Sequence, residues 1–201
     1  MLPQRRFGRT ELAMPVLSLG AMRFQQSWSD LPAEEISEAS QANLRAILEA
    51  GVASGFHHIE TARHYGSSER QLGWLLPQVA DPQRILQTKV PPQADSAAFE
   101  AELALSFARL AVERVDLLAI HGLNLAEHFE QTLRPGGCLE VARRWQADGR
   151  VGSVGFSTHA PLPLILEAIA SDRFDYVNLH WYFIRQDNRP AIEAAMAHDM
   201  G

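Results

Sequence analysis

Cysteine is nearly missing from this sequence: one residue, Cys138, among 201. That excludes a disulfide framework and any multi-cysteine metal site within the chain, and it suits a reducing cytoplasm, the expected compartment. No apolar run approaches the about 20 residues that a membrane helix needs, so no membrane association is expected. The opening stretch MLPQRRFGRTEL has basic residues but no apolar core, which excludes a secretory signal. Basic charge is not in excess. Lys and Arg number 18 against 24 Asp and Glu, a formal net charge of −6, the wrong sign for a nucleic-acid partner. Low-complexity tracts, charge blocks and Pro/Gly/Ser linkers are lacking too, so residues 1–201 read as a single domain. Hydrophobic residues, in contrast, make up 46%, enough for a sizeable core and too many for a disordered chain.

What recurs is an alternation of short apolar runs and longer helix-like patterns. Residues 5–15 read as a small hairpin turning near Gly8-Arg9-Thr10. Strands are then expected at 16–22, 56–62, 84–90, 114–122, 151–159 and 174–184. Helices are expected at 36–55, 67–80, 95–112, 136–149, 162–171 and 189–201. Ser67 or Ser68 is placed to cap the second helix, and Asp95 or Ser96 the third. Strict alternation implies a parallel α/β sheet covered by helices, either open and doubly wound or closed as a (β/α)8 TIM-type barrel. The open sheet predicts a Gly-rich fingerprint after the first strand, but Gly20 is followed by Ala21-Met22 without the further glycines. The barrel predicts polar residues at the C-terminal ends of several strands. They gather there: Glu60 and Thr61, Lys89, His121, Ser157 to His159, Asn178 to His180. The barrel is therefore the expected fold, incomplete here at about six βα units plus the hairpin, since the type needs eight. A complete six-strand open sheet is the alternative. The count predicts a chain truncated relative to its architecture, with open edges through which it self-associates.

The most informative segment runs from Gly55 to Glu69, Gly-Phe-His-His-Ile-Glu-Thr-Ala-Arg-His-Tyr-Gly-Ser-Ser-Glu. It sets a carboxylate, Glu60, at a strand end and Tyr65 in the following loop. Lys89 ends the next strand and His121 the one after. Three adjacent strands thus point a carboxylate, a Tyr, a Lys and a His at one mouth. A tyrosine of pKa about 10 is too weak an acid near neutrality, but a neighbouring ammonium stabilises its phenolate. A carboxylate keeps that ammonium charged and in place, and a His can orient a carbonyl oxygen. Such a set can protonate a carbonyl oxygen while a hydride arrives at its carbon. No metal is needed, and the hydride must come from a cofactor.

These motifs resemble the aldo/keto reductase family, from the Arg6-Phe7-Gly8-Arg9-Thr10 hairpin through to Gly201. The resemblance implies an eight-unit barrel, NADPH as the cofactor and reduction of a small-molecule carbonyl substrate. It implies that Tyr65 is the general acid/base, Lys89 its partner, His121 the substrate-orienting residue and Glu60 the occupant of the family's Asp position. It further implies cofactor contacts from Gly20, Ala21 and Met22, from Ser157 and Thr158, and from Asn178. Two departures stand out. Glu60 carries one methylene more than Asp, so the contact with Lys89 must be rebuilt or lost. The chain is most similar to a branch with Ile-Glu-Thr-Ala, often joined to a C-terminal iron–sulfur domain, yet it has no cluster-binding cysteines. The loops that grip the adenosine phosphate in the family lie after strands seven and eight, so this chain alone is expected to bind cofactor poorly.

Plainer readings stand beside these. Tyr65 alone is a rim aromatic and His121 alone a core histidine. His57, His58 and His64 look like a metal cluster, but His57 and His58 alternate to opposite strand faces, so they read as structural or surface residues. His159, His180 and Trp181 are either substrate contacts or packing residues, and Cys138 reads as a small buried hydrophobe. Two other function classes are weighed: a metal-dependent barrel hydrolase using His58, His121 and His180, and a truncated or degenerate non-catalytic reductase scaffold.

Overall fold

The computed structural model describes residues 2–22 and 27–201. The alternation in the sequence becomes a run of parallel strands, each followed by helix. A hairpin of β1 (Gln4–Arg6) and β2 (Ala13–Pro15), turning through a 3-10 segment at Gly8–Thr10, comes first. Then follow β3 (Leu19–Gly20), α1 (Glu38–Ala53), β4 (His58–Glu60), α2 (Ser68–Leu75), β5 (Ile85–Val90) and α3 (Ser96–Leu110). The second half comprises β6 (Val115–Ile120), α4 (Ala126–Leu133), α5 (Cys138–Ala147), β7 (Val151–Ser157), α6 (Leu162–Ala170), β8 (Val177–Asn178) and α7 (Arg189–Ala197).

The sheet order is β3-β4-β5-β6-β7-β8, parallel at every step. Each strand neighbours the next in sequence, with no reversal of order, so the open doubly wound alternative is excluded. The sheet is also strongly curled. Gln87 on β5 donates through Nε2 to Asn178 Oδ1 on β8 at 2.6 Å. Those strands lie three places apart, which in a flat sheet is about 14 Å at about 4.8 Å per strand. The architecture is an incomplete TIM-type barrel of six strands.

Alternation along the strands sorts the side chains. Leu86 and Val90 on β5, Leu118 and Ile120 on β6, and Val154 and Phe156 on β7 face outward. They join Leu72, Phe99, Leu103, Phe107, Leu139 and Ile165 of the helices in one large core. Ile85, Leu117, Ala119 and Tyr176 face inward and meet Met14, with Phe7 and Leu12 of the hairpin packed against them. The hairpin therefore closes the N-terminal end of the barrel, with the Phe7 and Tyr176 rings 5.6 Å apart. Gly155 makes room for Tyr176: a Cβ there would lie 2.5 Å from the Tyr176 carbonyl oxygen and 2.6 Å from its ring. Asp95 caps α3 by accepting from Ala97 N at 3.0 Å. Ser67 sits at the N-cap position of α2, but its hydroxyl donates to Gln71 instead of accepting from the helix.

Two elements differ from the sequence reading. α4 lies in a stretch to which the sequence pattern assigns neither helix nor strand, because its eight residues carry only Phe129 and Leu133 as large apolar anchors. The strand expected at 174–184 is regular only at Val177–Asn178. Beyond it Tyr182 and Arg185 form a bridged turn, and Phe183 and Ile184 are 94% and 86% exposed. Among the described residues no helix is long and apolar enough to cross a membrane.

Candidate active site

The C-terminal ends of the strands open onto a cleft of about 480 Å³, lined by Glu60, Tyr65, Lys89, His121, Ser157 and Asn178 among others. Glu60 ends β4, Lys89 lies near the end of β5, and His121 directly follows β6. The Tyr65 loop is stapled from beneath. Tyr65 N donates to Ala62 O at 3.0 Å, Ser68 Oγ donates to Ala21 O at 2.9 Å, and Thr61 Oγ1 lies 2.9 Å from Ser68 Oγ. Thr88, on the outer side of β5, donates to the buried Glu69 carboxylate at 2.6 Å, tying α2 to the strand that carries Lys89. The motif that reads as a string in the sequence is thus a set of ties between β3, β4, β5 and α2.

Lys89 is at the centre. Its ammonium forms an ion pair with the Glu60 carboxylate, donates to Thr61 O at 3.0 Å and lies 4.7 Å from the centre of the Tyr65 ring. The extra methylene of Glu60 does not break the carboxylate–ammonium contact. Among the described residues no hydrogen bond joins Lys89 to the Tyr65 hydroxyl; the ammonium sits over the ring face. Burial pushes Lys89 down to about 7, and the Glu60 carboxylate against it pulls the other way. Burial raises the Tyr65 phenol. The His121 ring stands edge-on to Tyr65, with centroids 5.8 Å apart and planes at 88°. Burial, reinforced by Lys89, His64 and His159, holds His121 down at about 3, so its imidazole is neutral. Its Nδ1 is buried without a hydrogen-bond partner, an unmatched polar atom of the kind a ligand can satisfy.

On the other side of the cleft Ser157 Oγ accepts from Gly122 N at 3.0 Å and keeps its own proton available. Thr158 also lines the cleft, but its hydroxyl is engaged twice, donating to Leu123 O at 2.7 Å and accepting from Ala160 N at 2.9 Å. Met22 reaches the cleft. Ala21 does not: it is fully buried, with its N–H donating to Glu60 O at 2.8 Å. Gly20 lies along a separate groove with Ile47 and Phe56. His159 and His180 meet edge to face at the exposed rim, 4.4 Å between centroids. His57 points outward to Asp81 at 3.0 Å, opposite to His58, as alternation requires.

Sequence reasoning missed Gln87 and Ser18, and it read His58 only as a structural or surface residue or as a ligand in the hydrolase alternative. His58 is buried and faces the cleft, with Nδ1 2.7 Å from Ser18 Oγ and Nε2 3.1 Å from Gln87 Oε1. The signal was available: His58 is two residues from Glu60 and Gln87 two from Lys89, so each shares the inward face. Both ring nitrogens of His58 are engaged. Among the described residues no three His, Cys, Asp or Glu side chains are grouped to hold a metal ion.

The model of the aldo/keto reductase family matches residues 16–200, which contain all six strands of the sheet. The chain belongs to the aldo/keto reductase family. It is an oxidoreductase by that membership. Solved structures with the same fold include a candidate aldo-keto reductase from Pseudomonas aeruginosa, 24% identical with a TM-score of 0.79, matched over 98% of this chain and 75% of that one. The holo form of an aldo-keto reductase from Bacillus halodurans gives a TM-score of 0.81 at 17% identity, over 100% of this chain and 65% of the other. A Klebsiella pneumoniae aldo/keto reductase in complex with NADP and acetate gives 0.74 at 18% identity, over 100% of this chain and 66% of the other. A search of curated proteins gives no match.

Proposed function

We propose that this mouth reduces an aldehyde or ketone to the alcohol with NADPH. The observation that carries the reading is the Lys89 ammonium held between the Glu60 carboxylate and the Tyr65 ring, beside a neutral His121 with an unpartnered nitrogen. The choice of NADPH is supported by the family and by the NADP in the Klebsiella pneumoniae relative. The cleft fits such a cofactor: its volume lies in the range of small-molecule sites, and Ser157 and Asn178 stand across from Tyr65 with polar atoms to offer. Ser157, Asn178 and Met22 would hold the nicotinamide end. When bound, the reduced nicotinamide supplies a hydride to the carbonyl carbon.

The chain's own residues do the rest. His121 donates a hydrogen bond to the carbonyl oxygen and fixes it near Tyr65. Burial keeps the Tyr65 phenol protonated at neutral pH, so a proton is on hand for the oxygen as it gains charge. Once that proton has gone, the adjacent Lys89 stabilises the phenolate, and Glu60 keeps Lys89 charged. We also infer that residues 1–201 act as one domain, since one apolar cluster runs from α1 to α7.

The test is an NADPH titration of the purified chain, followed by cofactor fluorescence, then carbonyl-dependent NADPH consumption over an aldehyde and ketone panel. Weak but saturable binding, with turnover that Tyr65→Phe removes, is the expected result. Absence of saturable binding, or turnover that survives Tyr65→Phe unchanged, refutes the proposal.

A further inference from the structure

Beneath the reacting residues lies a second polar layer, and its hydrogen bonds have a direction. Gln87 is fully buried, so both ends of its amide must be matched. Its Oε1 lies on His58 Nε2 at 3.1 Å and its Nε2 on Asn178 Oδ1 at 2.6 Å. An oxygen can only accept, so His58 carries its proton on Nε2. His58 Nδ1 is then an acceptor, and the Ser18 hydroxyl 2.7 Å away is its donor. At the other end Asn178 Oδ1 is occupied by the Gln87 donor. Asn178 lines the cleft, and among the described residues its Nδ2 has no hydrogen bond.

We infer that Ser18, His58 and Gln87 form a directional hydrogen-bond relay that fixes the Asn178 amide with its NH2 toward the cleft, so that Asn178 serves as a donor to the carboxamide oxygen of the nicotinamide. The three relay members are positioning residues; none of them needs to touch the ligand. The inference rests on the cofactor reading above. It adds to that reading a polarity, which the presence of an asparagine does not specify, because a free amide can present either end. Burial holds His58 down at about 4, with Lys89 adding to the shift, so the relay keeps one protonation state across the working pH range. The charged or titratable group facing His58 from the neighbouring strand is Lys89; its hydrogen-bond partners Ser18 and Gln87 are neutral.

The test has a cofactor-free arm and a binding arm. In the ¹⁵N-labelled chain without cofactor, the relay predicts that a Gln87 side-chain NH2 proton exchanges slowly with solvent while the Asn178 NH2 exchanges quickly. The opposite order means the amides run the other way and overturns the inference. In the binding arm, dissociation constants are compared for NADPH and its 3-acetylpyridine analogue, which keeps the ring carbonyl and lacks the NH2. A donor at Asn178 needs only the carbonyl, so the wild-type chain binds both within about threefold. Gln87→Glu puts a carboxylate beside Asn178, which then turns its NH2 inward and its oxygen toward the cleft. The analogue should weaken at least tenfold, and NADPH less, because its carboxamide can rotate to offer NH2 instead. Equal weakening of the two, or a wild-type chain that already rejects the analogue tenfold, overturns the relay. Failure of the wild type to bind either molecule sinks the cofactor reading instead, and the exchange arm still decides the relay.

Discussion

The floor and the mouth of this barrel are built on the same strands, two residues apart at each step. On β5 the inward positions rise from Ile85 through Gln87 to Lys89; along β6 they rise from Leu117 through Ala119 to His121. The last strand and its flanks read Tyr176, Asn178, His180. Each step climbs about 6.6 Å, and the chemistry changes with it, from an apolar plug, through a middle layer where the neutral amides of Gln87 and Asn178 lie level with the apolar Ala119, to titratable groups. The floor is apolar and closed by Phe7 and Leu12 of the hairpin, whereas the mouth holds a lysine, a carboxylate and histidines at the cleft. One backbone geometry thus supplies two environments, and the difference is where stability and function separate in barrels of this type. That separation can be broken experimentally.

The largest effect belongs at the mouth. Tyr65→Phe removes one oxygen and no packing surface. It should lower kcat for carbonyl reduction by about 10²- to 10⁴-fold, the usual worth of a positioned general acid, while leaving the urea midpoint within experimental error. The mirror experiment is at the floor. Leu117→Ala empties space among Met14, Ile85 and Tyr176 and should destabilise by about 2–5 kcal/mol, the range for buried Leu→Ala. NADPH affinity of the folded fraction should stay unchanged. If Leu117→Ala instead abolished binding at temperatures where the chain is fully folded, floor and mouth would be one unit and the comparison would fail.

The mouth was far easier to read from the sequence than the layer beneath it. Glu60, Tyr65, Lys89 and His121 are chemically distinctive residues at strand ends, where a barrel concentrates its chemistry, and the structure brings their side chains to one cleft. Gln87 and His58 sit among other polar residues of their strands, beside Thr88 and His57, so neither stands out from its neighbours. Their pairing crosses from β4 through β5 to β8, a contact that only curling of the sheet creates and no local pattern encodes. The stretch Trp181 to Ile184 misled in the other direction. Its apolar run reads as strand, but hydrophobicity does not by itself dictate burial, and a turn takes the chain out of the sheet after Asn178.

Acid should sharpen the contrast next. His58 and His121 are held at about 4 and about 3 in the folded chain, against about 6.5 when unfolded. With folded values depressed, the unfolded state binds more protons as pH falls. Stability is therefore fully present above about pH 6.5 and declines below it, by up to about 1.4 kcal/mol per pH unit for each histidine. Urea midpoints between pH 7 and 4 measure this. His58→Gln should flatten the dependence by about one proton, whereas Leu117→Ala should shift the whole curve without changing its slope. A slope unchanged by His58→Gln would mean that His58 is not kept neutral by the fold.

The smallest effect tests the floor's one polar flaw. Tyr176 is fully buried, and its hydroxyl has no hydrogen-bond partner among the described residues. A buried, unmatched hydroxyl is destabilising by about 1–3 kcal/mol relative to a matched one, while the ring itself packs against Phe7 and into the space that Gly155 leaves. Tyr176→Phe keeps the ring and deletes the unmatched group, so it should be neutral or stabilise by about 1 kcal/mol, read as a higher urea midpoint. Asn178 lies two residues further along the same inward row, so NADPH affinity should not move. A loss of stability would show that the hydroxyl is satisfied inside the barrel, and the floor would then share the polar character that separates it from the mouth.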